Sequence, residues 1–238
     1  MKRKSFRRVY CLILTLLFLF GASFFANAGN GVALGGTTYG YMTIGWNLTG
    51  GISHIHYSFS NSSGYTAASG LNYQPRVLFA CSSWDTGLSG SLFTFTTTTA
   101  ASRDIRFEFV YDQATMLHAW CEYYVGNTRV STDTATDSAP LPYQDYDYVV
   151  IKCNQAYLSS DFITRLQGQA SYYGTSNTSE NYGLRALFTH EVGHALGLAH
   201  FTCDMSPIIM DEPAFQVYAR DGIYTPQWPD IDGVEAIY

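Results

Sequence analysis

The stretch THEVGHALGLAHF, residues 189–201, holds three of the six histidines in this 238-residue chain. Apolar residues recur through it and just before it with the spacing of an amphipathic helix. His190 and His194 are four residues apart, so a helix places their imidazoles one turn apart on the same face. Gly197 can end that helix in a left-handed conformation, which lets the chain turn and bring His200 back to the same point.

Three neutral imidazoles form a zinc-binding set, with N–Zn distances of about 2.0–2.1 Å, and they leave a fourth coordination position open. An open position is typical of a catalytic zinc rather than a structural one. Glu191 follows the first histidine, where a general base for water activated by the metal belongs. The spacing therefore predicts one Zn²⁺ held by His190, His194 and His200, with Glu191 as the catalytic base for cleavage of a peptide bond. Buried, hydrogen-bonded histidines without a metal are the weaker alternative.

The full pattern H-E-x-x-H-x-x-G-x-x-H resembles the signature of the metzincin zinc endopeptidases, which is followed by a methionine turn. SPIIMDEP (206–213) is similar to that turn, with Met210 as the methionine beneath the metal. Met205 is the rival candidate, but it lacks the apolar pair that precedes Met210. Within the clan, PDIDGVEAIY (229–238) is similar to the last helix of the matrixins.

The matrixin resemblance implies an α+β, zincin-like catalytic domain, with a mixed twisted sheet, an active-site helix and a C-terminal helix. Several matrixin features are absent from the sequence, among them the P-R-C-G cysteine switch. Only His118 falls near a position of the matrixins' second, structural zinc, so we expect no such zinc. Pro229 replaces the first aspartate of the matrixin D-D pair, and Glu212 disturbs the P-x-Y segment that forms a pocket wall. Substrate specificity therefore does not carry over from the resemblance.

Residues 1–28 have the three parts of a secretory signal peptide: basic residues, an apolar run, and small residues before a cleavage site after Ala28. An uncleaved membrane anchor is the alternative, but the apolar run is shorter than the roughly 20 residues that span a bilayer. We therefore expect a signal peptide over 1–28 and one matrixin-like catalytic domain over 29–238. The mature protein is predicted to be extracellular, or periplasmic in a Gram-negative bacterium, with no membrane contact.

Removal of residues 1–28 leaves 8 basic against 19 acidic residues, a formal charge of −11. Such an acidic chain is not expected to bind nucleic acid, and the predicted partner is a protein or peptide substrate cleaved by a monomer. Binding of Ca²⁺ is possible at a group of acidic residues, although their spacing is not that of an EF-hand. They are Asp133, Asp137, Asp145 and Asp147. The cysteines of the mature chain predict two disulfides of undetermined pairing in an oxidising compartment. They are Cys81, Cys121, Cys153 and Cys203.

Hydrophobic periodicity predicts the other main elements. Two segments, 52–60 and 104–112, alternate as half-buried strands do, and 147–154 is a continuous apolar run typical of a strand covered on both faces. His54 and His56 are interpreted as strand residues and not as metal ligands. The sequence predicts a helix over 74–84, with Pro75 in its first turn, and a short helix or irregular stretch over 160–174. Three further segments are predicted to be irregular chain or loop: 29–51, 94–102 and 131–142.

Two other functions are compatible with the sequence. One is a secreted binding or adhesion module that keeps a metal site for stability. The intact Glu191 argues against it, since a purely structural site needs no carboxylate beside the metal. The other is a protease of narrow specificity, such as a toxin or a processing enzyme, which only substrate profiling separates from a general endopeptidase.

Overall fold

The computed structural model describes residues 31–34, 37–40, 55–60, 70–90, 93–95, 104–132, 146–198, 200, 207–211 and 213–237. The described strands are β1 (Gly31–Leu34), β2 (Thr37–Gly40), β3 (Ile55–Phe59), β4 (Phe93–Phe95), β5 (Ile105–Val110), β6 (Ala119–Val125), β7 (Thr128–Thr132) and β8 (Tyr148–Asn154). The described helices are α1 (Gln74–Gly87), α2 (Ser160–Tyr173), α3 (Glu180–Ala195), α4 (Ala214–Asp221) and α5 (Trp228–Ile237).

Six of these strands form one mixed sheet in the order β4-β3-β5-β8-β6-β7. The first four are parallel to one another, β6 is antiparallel to β8, and β7 is antiparallel to β6. β1 and β2 form a separate antiparallel pair. Helix α3 packs against α1 and α4 and also contacts β6 and β8. The α+β architecture with a mixed sheet is therefore confirmed.

The strand predictions hold where the hydrophobic pattern is strong. In the central strand β8, Val149, Val150 and Ile151 are all buried, which confirms a strand covered on both faces. In β5 the buried positions alternate, as predicted for a half-buried strand. The strand is shorter than the predicted segment 104–112, because it ends at Val110 and the next residue, Tyr111, is 68% exposed.

Helix α1 begins at Gln74 with proline in its first turn, as predicted, and runs to Gly87, beyond the predicted end. Helix α2 confirms the helical alternative for 160–174 and ends at Gly174, whose left-handed φ of 69° closes it. Parts of all three segments predicted as irregular chain or loop form short strands: β1 and β2, β4, and the end of β7. Strands of three to five residues depend on their neighbours for pairing, so they show little periodicity of their own.

The prediction of two disulfides is wrong. The three cysteines that the structure describes form no disulfide and are buried: Cys81 in α1, Cys121 in β6 and Cys153 in β8. The fourth cysteine, Cys203, lies outside the described residues. Each of the three sulfurs packs in the hydrophobic core, where a cysteine acts as a small apolar residue. Burial raises the pKa of the Cys81 and Cys153 thiols, so both remain protonated at neutral pH.

Several predictions fall outside the described residues. The proposed signal peptide, residues 1–28, is one of them, and His54, Met205 and three of the four candidate calcium ligands are others. The fourth, Asp147, is described, and its carboxylate accepts a hydrogen bond of 2.6 Å from the backbone N–H of Gly126. None of the described helices combines the length and the hydropathy that crossing a bilayer requires.

Candidate metal centre

Helix α3 passes through the middle of the molecule and carries His190, Glu191 and His194. All three side chains are buried, with 4%, 4% and 1% of their surface exposed. A helix is buried on every side only when other elements surround it. Here the surrounding elements are α1, α4 and the sheet. The polar side chains of α3 therefore face the interior of the protein. The sequence predicted an apolar stripe with the histidines on another face, and the structure buries both faces.

The turn after α3 brings the third histidine back. The helix ends at Ala195, and Gly197 adopts a left-handed φ of 94°, as the sequence predicted. The N–H of Leu198 then donates a hydrogen bond of 3.0 Å back to the carbonyl of Gly193, which closes the helix end. His200 thereby returns to the other two imidazoles.

The three Nε2 atoms converge on one point. The distances are 3.0 Å between His190 and His194, 3.0 Å between His190 and His200, and 2.9 Å between His194 and His200. With N–Zn bonds of about 2.0–2.1 Å at tetrahedral angles, ligand nitrogens lie about 3.3–3.4 Å apart. The triangle is thus within a few tenths of an ångström of the size that zinc requires. Among the described residues, these three histidines are the one group able to hold a metal ion.

The backbone fixes the tautomer of two of these imidazoles. Nδ1 of His190 lies 2.8 Å from the carbonyl oxygen of Ile209, and Nδ1 of His194 lies 2.8 Å from that of Leu198. A carbonyl oxygen only accepts hydrogen bonds, so each Nδ1 carries the proton and each neutral ring presents a lone pair at Nε2. A hydrogen bond from the other ring nitrogen commonly orients a histidine that binds a metal.

Burial keeps the imidazoles uncharged. It lowers the pKa of His190 to about 3, with a further contribution from His200, while the hydrogen bond to Ile209 acts in the opposite direction. The pKa of His194 is likewise far below its ordinary value, mainly through burial. Neutral rings whose lone pairs meet at 3.0 Å repel one another unless a cation lies between them. The ligand set and its geometry therefore fit a zinc ion.

Glu191 is held from the side of the sheet. The thiol of Cys121 in β6 lies 3.4 Å from the backbone oxygen of Glu191 and 3.7 Å from its Oε2. From the sequence, Cys121 was expected to form a disulfide. In the structure its sulfur is instead a neighbour of the candidate base. Cys121 lies within a run of buried residues, 119–123, at the start of β6, where a cysteine packs as a small apolar residue.

Met210 packs directly against the ligand-bearing helix. A Cβ atom added to Gly193 would lie only 2.3 Å from the sulfur of Met210, so that sulfur contacts the α3 backbone between the two ligand candidates. The preceding Ile208 and Ile209 are buried, and Ile209 provides the carbonyl that holds His190. This arrangement agrees with Met210 as the methionine below the site.

Asp230 in α5 holds the segment around Met210. Its buried carboxylate accepts hydrogen bonds from the N–H groups of Ile209 at 3.0 Å, Met210 at 3.3 Å and Gln227 at 2.7 Å. Burial raises its pKa to about 6, against the effect of these donors. Asp230 lies in the segment that is similar to the last matrixin helix, but its contacts were not predictable from that similarity.

Two other histidines lie apart from this group. His56 has 43% of its side chain exposed, and its Nδ1 lies 3.6 Å from the carboxylate of Asp104. His118 packs against the rings of Tyr157, Phe162 and Phe215. Neither joins a group of metal-ligand atoms within the ranges that the structure describes.

The chain is similar to known proteins in sequence and in structure. The family model described as Matrixin (peptidase family M10) matches residues 46–238. Human neutrophil collagenase is 41% identical over 63 residues, which are 26% of this chain and 13% of the collagenase. The solved structure of myroilysin is similar with a TM-score of 0.31 and 13% identity, over 74% of this chain and 61% of that one.

The chain thus spans less than two thirds of the length of either relative. The family match, in contrast, covers most of the chain and includes α3, the turn at Gly197 and the C-terminal helix. The histidine geometry described above is what its signature requires. On this evidence the chain belongs to the matrixin family.

Proposed function

We propose that this protein is a secreted zinc-dependent endopeptidase that hydrolyses internal peptide bonds of a protein or peptide substrate. The observation that carries the proposal is the convergence of three imidazole Nε2 atoms within 3.0 Å, two of them with their lone pairs directed by backbone carbonyls. His190, His194 and His200 would hold the zinc ion. The match to the matrixin family supports the same reaction.

A zinc ion held by these three histidines would supply Lewis acidity, which would lower the pKa of water and polarise the substrate carbonyl. Glu191, one residue after the first ligand, takes the proton from the attacking water at its carboxylate. The oxygen adds to the carbonyl carbon, the C–N bond breaks, and Glu191 returns the proton to the leaving amine. Burial of the Glu191 side chain excludes competing bulk water from this transfer.

Secretion and the substrate class are parts of the same proposal. The basic, apolar and small-residue segments of 1–28 support export. The acidic composition of the remaining chain suits a protein or peptide substrate and argues against nucleic acid. We propose that the enzyme acts as a monomer.

The test compares Glu191→Ala with the unchanged protein on a quenched peptide library, with and without 1,10-phenanthroline. The unchanged protein is expected to cleave the library and to lose activity with the chelator. Glu191→Ala should still bind one zinc ion but cleave nothing. Glu235→Ala, at an exposed position of α5, is the matched control and should retain activity. Cleavage by purified Glu191→Ala would refute the mechanism, and a zinc-loaded unchanged protein that cleaves nothing would favour a binding module.

A further inference from the structure

The C-terminal end of α3 receives two hydrogen bonds from tyrosine side chains. The hydroxyl of Tyr123 donates to the carbonyl oxygen of His194 at 3.0 Å, and that of Tyr146 donates to the carbonyl oxygen of Ala195 at 3.1 Å. The last carbonyls of a helix have no N–H partner within the helix and are satisfied from elsewhere when they are buried. The carbonyl of His194 accepts the N–H of Gly197 at 2.9 Å as well as the Tyr123 hydroxyl, so the phenol adds a second donor that links this turn to the sheet. The two phenols provide donors at the point where the chain turns toward His200.

Both tyrosines are rigidly held. Tyr123 lies in β6 opposite Val149 of β8, and Tyr146 lies two residues before β8. Their side chains are buried, with 0% and 1% exposure, and their ring centroids are 4.9 Å apart. The sheet therefore presents both hydroxyl groups to α3 at fixed positions.

We propose that Tyr123 and Tyr146 are positioning residues that hold the end of α3 in the geometry that a metal ion requires. Tyr123 binds the backbone of His194, whose imidazole Nδ1 is held in turn by the carbonyl of Leu198. A displacement of the end of α3 would move His194, the carbonyl of Leu198 and the segment that leads to His200 together. The inference rests on the proposed function in that it assumes a metal at the three histidines.

The experiment measures zinc affinity by competition with a chromogenic chelator for Tyr123→Phe, Tyr146→Phe and the double variant. Phenylalanine keeps the ring packing and removes only the donor. Loss of such an outer contact typically weakens metal binding by about 10–100-fold, and we expect about tenfold for each single variant. The Co²⁺-loaded variants should also show altered absorption bands, because ligand geometry changes with the helix end.

Tyr73→Phe is the matched control. The Tyr73 hydroxyl is also buried, and it donates at 2.8 Å to a backbone carbonyl, that of Leu158, away from the histidines. Its loss should lower the thermal midpoint of the metal-free protein much as the other substitutions do, but leave the zinc dissociation constant and the Co²⁺ spectrum unchanged. If Tyr123→Phe and Tyr146→Phe bind zinc as Tyr73→Phe does, the inference is overturned.

The outcomes separate this inference from the proposed function. An unchanged protein that binds zinc but cleaves no peptide overturns the function and leaves the affinity comparison valid. An active unchanged protein whose tyrosine variants keep full zinc affinity overturns only the positioning role. An unchanged protein that binds no zinc overturns both. If the double variant does not fold, the two single variants decide the matter.

Discussion

The carboxylate of Asp230 accepts a hydrogen bond from the backbone N–H of Met210 at 3.3 Å. The same carboxylate binds the N–H of Ile209, whose carbonyl oxygen holds His190. The C-terminal helix is therefore linked to His190, the first candidate metal ligand, through Ile209. The N–H of Ile209 binds Asp230, and its carbonyl oxygen binds His190.

Substitution Asp230→Asn should destabilise the protein by about 2–3 kcal/mol, because it turns one acceptor into an NH₂ group that faces backbone donors. We expect the thermal midpoint to fall by roughly 4–12 °C at about 2–4 °C per kcal/mol. Differential scanning calorimetry measures it. The control is Asp161→Asn, an exposed partner of Arg165 on α2, which should cost less than about 1 kcal/mol. Equal effects of the two substitutions would contradict a structural role for Asp230.

Substitution Gly193→Ala should destabilise the protein by about 1–3 kcal/mol, a typical cost of overpacking. The added Cβ would lie 2.3 Å from the sulfur of Met210 and 3.0 Å from the ring of Trp84. Gly168→Ala is the control, since Gly168 is exposed within α2 and its added Cβ meets no atom within 4 Å. That change should stabilise by about 0.5–1 kcal/mol. Urea denaturation measures the free energy of unfolding of both variants. An increase for Gly193→Ala would disprove the close contact between Gly193 and Met210.

His118 should make stability depend on pH between about 4 and 6.5. Burial lowers its pKa to about 4, Arg165 lowers it further, and Asp161 acts in the opposite direction. Because the unfolded histidine has a pKa of about 6.5, the unfolded state binds the proton more readily, and stability falls as the pH falls through this window. The full shift corresponds to at most about 3 kcal/mol, reduced by the partial exposure of the ring.

Urea midpoints near neutral pH and near pH 5, for the unchanged protein and for His118→Phe, measure this effect. The three candidate metal ligands are the same in both proteins, so their contribution cancels in the comparison. The variant should lose part of the acid sensitivity. Identical pH dependence of the two proteins would show that His118 remains accessible to protons in the folded state.

Reducing agents should not lower the thermal stability. The three described cysteines are buried and form no disulfide, whereas loss of a native disulfide typically costs about 2–5 kcal/mol. A phosphine reductant avoids competition for the metal. The thermal midpoint with and without the reductant should agree, and a clear decrease would indicate a disulfide that stabilises the fold.

The fold was predictable where one segment carries its own signal. Strand β5 buries alternate residues, β8 is a continuous apolar run, and the helices α1 and α3 are rich in buried apolar residues, so local sequence determines these elements. β4 and β7 are short and lie at the two edges of the sheet, where pairing with a neighbour forms them. That pairing depends on residues far away in the chain.

The candidate site was likewise predictable from the sequence only in part. His190, His194, Gly197 and His200 lie within one stretch of eleven residues, so their convergence follows from helix geometry and one turn. The contacts of Cys121, Tyr123 and Asp230 connect residues 20 to 71 positions apart. Their partners follow from the packing of β6 and α5 against the centre, which no local pattern encodes. The cysteines were misassigned for a related reason, since their number indicates a disulfide only when the residues meet in pairs.

The sharp turn at Gly197 also affects how the protein should be refolded. The turn joins histidines that are only six residues apart in the sequence. A denatured chain therefore already carries all three candidate zinc ligands close together. An ion that binds both states stabilises the native one only by the difference between its two affinities. Zinc added at the start of refolding would therefore be captured before the sheet exists, and the ion is best supplied after dilution from denaturant.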